Sequence, residues 1–306
     1  MVFSFANYTL RIKNLQNGAQ LNIDTINNED ISNLVLEYIR NLQTEIKTDE
    51  RNKRVIKTKN YNEDTNARCI SGIFEIGEYG FRSQLIDSRN GSLSYDKKEY
   101  DADMIPFYFL FCFPRNSDQG IIILEKFKQY GIKDLLSLDI NTFFQTKDPN
   151  IKIDLYPLVN TSLLERCLEE GKIKKIKFIK FEIPSDIADV EYDGHREIEG
   201  SLEYSIIAKK GKDLPLRERV RKTIRNEINL SDFMEVQVEY DEVKVELDVN
   251  GKRRTINLSN PQNLRIYEDI DEHIQTGDDQ HPLFNSINTL GKERLNELLS
   301  SIRRTV

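Results

Sequence analysis

Apolar positions along this chain recur at two periods, and the period switches often. Phe3, Phe5, Tyr8, Leu10 and Ile12 alternate through residues 2–13, with a phase shift at Ala6-Asn7 that predicts a bulge or two short strands. From Glu29 the spacing turns helical, with Ile31, Leu34, Val35, Tyr38, Ile39, Leu42 and Ile46 on one face. Asn27 or Asn28 is placed to cap that helix, and Glu29 and Asp30 suit its positive end. Residues 47–66 are polar and predict an exposed connection with one short strand near Val55.

A strand-rich block follows. Ile70, Gly72, Phe74 and Ile76 alternate, as do Phe81, Ser83 and Leu85, and Asn90-Gly91 before Leu93 and Tyr95 signals a hairpin. Residues 107–113 and 120–127 are nearly continuous apolar runs, the pattern of central strands covered on both faces. A helix is expected over 131–145 and a strand over 151–159. Ser162 and Glu165 have capping-box spacing for a helix that stops at Gly171. A strand over 172–183 comes next, then the acidic, apolar-poor stretch 184–200.

Beyond it, 201–209 reads as a strand. Leu216, Val220, Ile224 and Ile228 mark a helix, and 234–249 alternates as a long strand ending at a second Asn-Gly, Asn250-Gly251. The C-terminus from Pro282 is helical, with Gly291 expected to break or bend it. The interleaving lacks a steady β-α-β rhythm. The expected class is therefore α+β, with mainly antiparallel or mixed sheets and interleaved helices. Two domains are expected, 1–184 and 185–306, the second holding the basic helix, the long hairpin and the C-terminal helix.

Composition narrows the class without naming a reaction. The 306 residues are 38% hydrophobic and 31% charged, with a net charge of -7, which describes a folded, mildly acidic chain. The most apolar run, Met104 to Pro114, is too short to span a bilayer, and the N-terminus lacks signal-peptide character. Cys69, Cys112 and Cys167 are odd in number, far apart and in apolar patterns, so they read as small core residues. These features place the expectation in the cytoplasm, with no membrane partner. The Lys, Asn and Ile usage suits an AT-rich bacterial or phage genome, and antiviral defence against phage is a setting that fits such genomes.

Phosphate-binding loops of the G-x-x-x-x-G-K-[ST] and G-x-G-x-x-G types are absent, as is a G-x-S-x-G elbow. Two acidic loops carry histidine, at 189–195 and 268–281. Solvated surface is the plainer reading, and no metal is expected there. Glu242, Lys244 and Glu246 alternate onto one strand face, the E-x-K arrangement of a metal-dependent nuclease, with Asp232 as the nearby carboxylate and Mg²⁺ as its cofactor. Half-exposed strands carry the same pattern without chemistry, so enzymatic activity is the alternative and no cofactor the expectation.

Charge segregation is the more distinctive feature. Lys174, Lys175 and Lys177 crowd one strand, and Arg217, Arg221, Lys222 and Arg225 lie on the basic helix. The three arginines stack along one flank, about 100° round from the apolar stripe. An uninterrupted cationic ridge of this kind would hold a nucleic-acid backbone. Arginines paired with carboxylates of the same domain would not. The expected function is a binding or regulatory protein associated with nucleic acid. The alternatives are a metal-dependent nuclease and a non-catalytic partner subunit of a larger complex, docked through its hairpins or its C-terminal helix.

Overall fold

The computed structural model describes residues 3–158, 161–181, 201–225, 227–229, 233, 240–249, 251–259 and 267–305. Contacts divide the chain into two compact units, Met1–Tyr156 with Tyr267–Val306, and Pro157–Ile266. The first unit opens with β1 (Phe3–Asn14), one strand in unbroken register with its neighbour where a bulge or a split was expected. The shift of phase has another cause. Ala6, Tyr8, Leu10 and Ile12 enter one core while Phe3 and Phe5 are buried on the opposite face. Three short strands follow, β2 (Gln20–Leu21), β3 (Thr25–Ile26) and β4 (Glu29–Asp30). Asn27 and Asn28 stand at φ 50° and 67° in the tight turn between β3 and β4. They close a hairpin, because asparagine tolerates the left-handed region. Asp30 is the cap of α1 (Ile31–Thr44), accepting the Ser32 N–H.

Residues expected as a connection form β5 (Lys47–Asp49) and the long β6 (Arg54–Asp64), which pairs along β7 (Cys69–Glu78). Near a sheet edge a strand buries little, so its polar sequence hid it. Next come β8 (Ser83–Ile86), β9 (Leu93–Lys97), β10 (Asp103–Cys112), β11 (Gly120–Phe127), β12 (Tyr130–Gly131), α2 (Lys133–Lys147) and β13 (Ile151–Pro157). The main sheet runs β13-β1-β11-β10-β7-β6-β5, and β8 and β9 form a separate pair. Pairings from β1 through β5 along that order are antiparallel.

The second unit contains α3 (Thr161–Glu170), β14 (Lys172–Lys180), β15 (Leu202–Ile207), α4 (Arg217–Ile224), β16 (Glu242–Val249) and β17 (Lys252–Asn257). Its antiparallel sheet has the order β15-β14-β16-β17. Ile173, Ile176, Phe178, Val243, Val245, Leu247 and Ile256 form the buried face, joined by Leu164 and Leu168 of α3 and Val220 of α4. Thus residues 172–180 share a sheet with 242–249, across the position 184 where the sequence suggests a cut. Residues 182–200, residues 234–239 of the long strand and the Ser162 side chain lie outside the described residues. β16 and β17 pair down to Val249–Lys252, with Gly251 at φ 81°, while Asn250 lies outside the described residues.

The chain then re-enters the first unit. Here β18 (Glu268–Asp269) pairs with β1, and α5 (Phe284–Thr305) packs on β7, β10 and β11. Phe107, Phe109, Phe111 and Phe113 face the core shared with α1 and α2, while Tyr108 points to α5 and donates to Asn288 at 3.0 Å. Gly291 lies within one continuous helix. A Cβ there would stand 2.5 Å from the Tyr108 hydroxyl, so the glycine permits close approach and ends nothing. One polar group sits oddly on this face. The β10–β11 ladder stops at Phe109–Leu124, and the Tyr108 N–H donates to Glu125 Oε2 at 2.7 Å instead. Glu125 is buried, and among the described residues its Oε1 has no hydrogen-bond partner. Burial pushes its carboxyl up to about 7. Among the described residues no helix is long and apolar enough to cross a membrane.

Candidate interaction surface

The nuclease reading depends on an accessible carboxylate. Strand alternation places Glu242 and Lys244 on the same face of β16, since Val243 and Val245 enter the core. Lys244 Nζ lies 2.5 Å from Glu242 Oε2, and Asn257 Nδ2 donates to Oε1 at 3.0 Å. The Lys244 hydrogen bond, the largest influence, holds the Glu242 carboxyl below its ordinary range. Across the ladder Lys177 faces Lys244, so a cation at Glu242 would meet a second ammonium. Asp232 lies outside the described residues. Among the described residues no group of three His, Cys, Asp or Glu side chains could hold a metal ion.

The 268–281 loop has structural duties. Arg294 Nε donates to buried Glu268 at 2.7 Å, and Asp271 Oδ1 accepts the Phe3 N–H at 2.6 Å. Asp279 accepts the His281 N–H, and the His281 ring meets Phe3 and Phe127 edge-on. The 189–195 loop lies outside the described residues.

The arginine row is not an open ridge. Arg221 Nε donates to Glu165 Oε2 at 2.9 Å, and Arg225 Nη2 to Glu165 Oε1 at 2.6 Å. Arg221 also pairs with Glu218 and, at 3.9 Å, with Glu169. Arg217 Nη2 donates to the Gly171 carbonyl at 3.1 Å. Burial pushes the Glu165 carboxyl up, but hydrogen bonds from Arg225 and Arg221 outweigh it and hold the group low. The counter-charge comes from α3, packed beside α4, and from Glu218 of α4 itself, and among the described residues none comes from the acidic hairpin strand. Sequence separation hid this partnership.

Two of the five lysines of β14 are likewise answered. Lys177 lies 3.5 Å from Glu203 and 3.9 Å from Glu246, and Lys175 lies 3.8 Å from Glu203. In the first unit Lys57 and Lys59 both reach Glu75 at 3.0 Å. What remains is smaller. Lys174 donates to the Lys212 carbonyl at 2.7 Å, and Lys209, Lys210 and Lys212 lie in the adjoining loop. None of these four, nor Lys222 on α4, has a carboxylate within ion-pair distance among the described residues.

The β8–β9 hairpin, one of the hairpins the sequence offers for docking, presents a different kind of surface. It is inserted between β7 and β10, whose ends pair at Glu78–Asp103. Lys97 anchors its base. Its Nζ is buried, donates to the Glu78 carbonyl at 3.2 Å and to Asp103 at 3.1 Å, and sits 4.1 Å from the centre of the Phe81 ring. Gly80, at φ 97°, donates its N–H to the Glu99 carbonyl at 2.7 Å, and Tyr95 Oη donates to Asp101 at 2.5 Å. At the tip Asp87 and Ser92 close the loop, and Arg89 folds back onto Asp87.

The polar groups are therefore engaged locally while the apolar ones face solvent. Leu85 pairs with Tyr95 and Ile86 with Leu93, and all four are about half exposed, as is Phe81, while Tyr100 is 84% exposed. Alternation in 81–95 was legible as a hairpin. That neither face would find a core was not, because burial depends on what packs above it. A row of ordered, solvent-facing aromatic and branched side chains is the composition of a protein-binding surface. No protein-family model matches the chain, and none of the curated proteins matches it.

Proposed function

We propose that this protein is a non-catalytic binding subunit that engages another protein through the β8–β9 hairpin. The observation that carries the reading is the exposed set Phe81, Leu85, Ile86, Leu93, Tyr95 and Tyr100 on a hairpin whose Lys97, Tyr95 and Arg89 side chains are engaged locally. Residues 79–102 balance four cations (Arg82, Arg89, Lys97, Lys98) against four anions (Asp87, Asp96, Glu99, Asp101), whereas the whole chain carries -7. A neutral, apolar finger suits an apolar groove on a partner protein and has no attraction for a phosphate backbone.

A photo-crosslinking residue at Leu93 or Tyr100 tests this in the source cell, with exposed Leu138 of α2 as control. The expected result is a partner captured from the hairpin and not from Leu138. Once purified, that partner binds the wild type more tightly than a Leu85→Ser, Ile86→Ser variant of unchanged melting temperature. Equal binding by the variant, or capture of a second copy of this chain alone, overturns the reading.

One observation favours nucleic-acid contact as a second reading. Lys174, Lys209, Lys210 and Lys212 gather at one end of the second unit's sheet, clear of carboxylates among the described residues. This moves the contact from the arginine row to a lysine loop. Gel shift across salt concentrations tests it, because neutralised phosphates release counterions and give a steep salt slope. Binding that survives Lys209→Ala, Lys210→Ala and Lys212→Ala together discards it.

A further inference from the structure

Two of the three cysteines, distant in sequence, meet across a strand pair. Cys69 opens β7, Cys112 closes β10, and they are direct register partners. The Phe113 N–H donates to the Arg68 carbonyl at 3.0 Å, which makes 68/113 a hydrogen-bonded position. The adjacent 69/112 position is then the non-hydrogen-bonded kind, where side chains approach closest and Cα atoms lie about 4.5 Å apart. A disulfide spans roughly 4.4–6.8 Å between Cα atoms. Both thiols donate to one acceptor, the Ala67 carbonyl, at 3.3 Å from Cys69 Sγ and 3.7 Å from Cys112 Sγ.

We propose that Cys69 and Cys112 are a dithiol that a hydroperoxide oxidises to a cross-strand disulfide. The Cys112 sulfur attacks a peroxide oxygen, the O–O bond breaks, and Cys112 becomes a sulfenic acid. The Cys69 sulfur then attacks the Cys112 sulfur, the S–O bond breaks and the S–S bond forms. Two thiols lose two protons and two electrons. Hydrogen peroxide takes up both and leaves as two waters. Cys112 is the attacking sulfur, because the adjoining Cys69 and the nearby Arg68 charge favour its thiolate, while Cys69 is pushed the other way. Both residues are nearly buried, at 8% and 3% exposed, so a small oxidant suits them better than a bulky disulfide. The pair closes the same two strands that carry the β8–β9 hairpin at their other end, but the proposal does not depend on what that hairpin binds.

Oxidation of the folded chain with hydrogen peroxide, then alkylation in denaturant and peptide mapping, tests the proposal. The expected product is lighter by two hydrogen atoms, has one alkylated thiol at Cys167, and yields a cross-linked peptide joining Cys69 to Cys112 that dithiothreitol separates. Cys69→Ala is expected to accumulate a sulfenic acid at Cys112 that dimedone traps. Because alanine leaves a gap in the sheet, the wild-type peptide map carries the decision. Three alkylated thiols, oxygen adducts without a cross-link, or a link between two chains would overturn it.

Discussion

On α4, charge meets charge. Glu165 of α3 takes Arg221 and Arg225, and the Gly171 carbonyl takes Arg217. On the β8–β9 hairpin the polar groups are answered in the same local way, but the apolar side chains find no core. The first region is dense in charge and has little left to offer a partner. The second is plain in sequence and keeps its apolar side chains outward. The difference teaches that a surface is judged by what remains unanswered after folding, because a paired guanidinium must lose its carboxylate before it can gain a phosphate.

The largest effect expected from that rule lies outside both regions, at Glu125, whose Oε1 is unanswered in the core. Its proton is held more tightly folded than unfolded, so burial is tolerated below its ordinary value of 4.5, and stability falls as pH rises toward about 7. At pH 8 the buried carboxylate is expected to cost about 3 kcal/mol. Glu125→Gln keeps an oxygen for the Tyr108 N–H and removes the charge. Urea unfolding at pH 5 and pH 8 should show the wild type losing that much on this account and the variant not; equal pH slopes would break the rule.

Next in size is the hairpin. Leu85→Ser with Ile86→Ser should weaken partner binding by about 2 kcal/mol, roughly thirtyfold in Kd, read by titration calorimetry. Unfolding free energy should stay within about 0.5 kcal/mol, since neither side chain is buried in the chain itself. Arg221→Ala should do the reverse. It removes hydrogen bonds to Glu165 and is expected to destabilise the protein by about 1 kcal/mol without changing any binding to DNA or RNA. A loss of nucleic-acid affinity with unchanged stability would overturn the contrast. The smallest effect belongs to Lys177→Ala, whose ion pairs at 3.5 and 3.9 Å are loose and partly solvated. Its change should stay within about 0.5 kcal/mol by thermal melting.

Much of the architecture was legible locally. The apolar runs at 107–113 and 120–127 are central strands, and the helical spacing from Ile31 is α1. The strands on either side of the second Asn-Gly do pair as a hairpin, with Gly251 at φ 81°. Failures came where long-range neighbours override local pattern. The phase shift in β1 reflects two buried faces, not a bulge. Gly291 looks like a helix breaker until Tyr108 is placed beneath it. The candidate sites fared differently. Glu242 and Lys244 do share a face, as alternation requires, yet that placement also lets them neutralise each other. The arginines do line one flank, but Glu165 was legible only as a cap residue.

Periodicity, turn chemistry and composition by themselves determined that this chain builds antiparallel sheets with interleaved helices, because those signals act over a few residues. Which charges are spent internally, which hairpin stays uncovered and which cysteines touch were decided only by the tertiary structure. Each depends on a partner that is far away along the chain, such as Glu165 for Arg221 or Cys112 for Cys69, and register and packing alone bring such partners within reach.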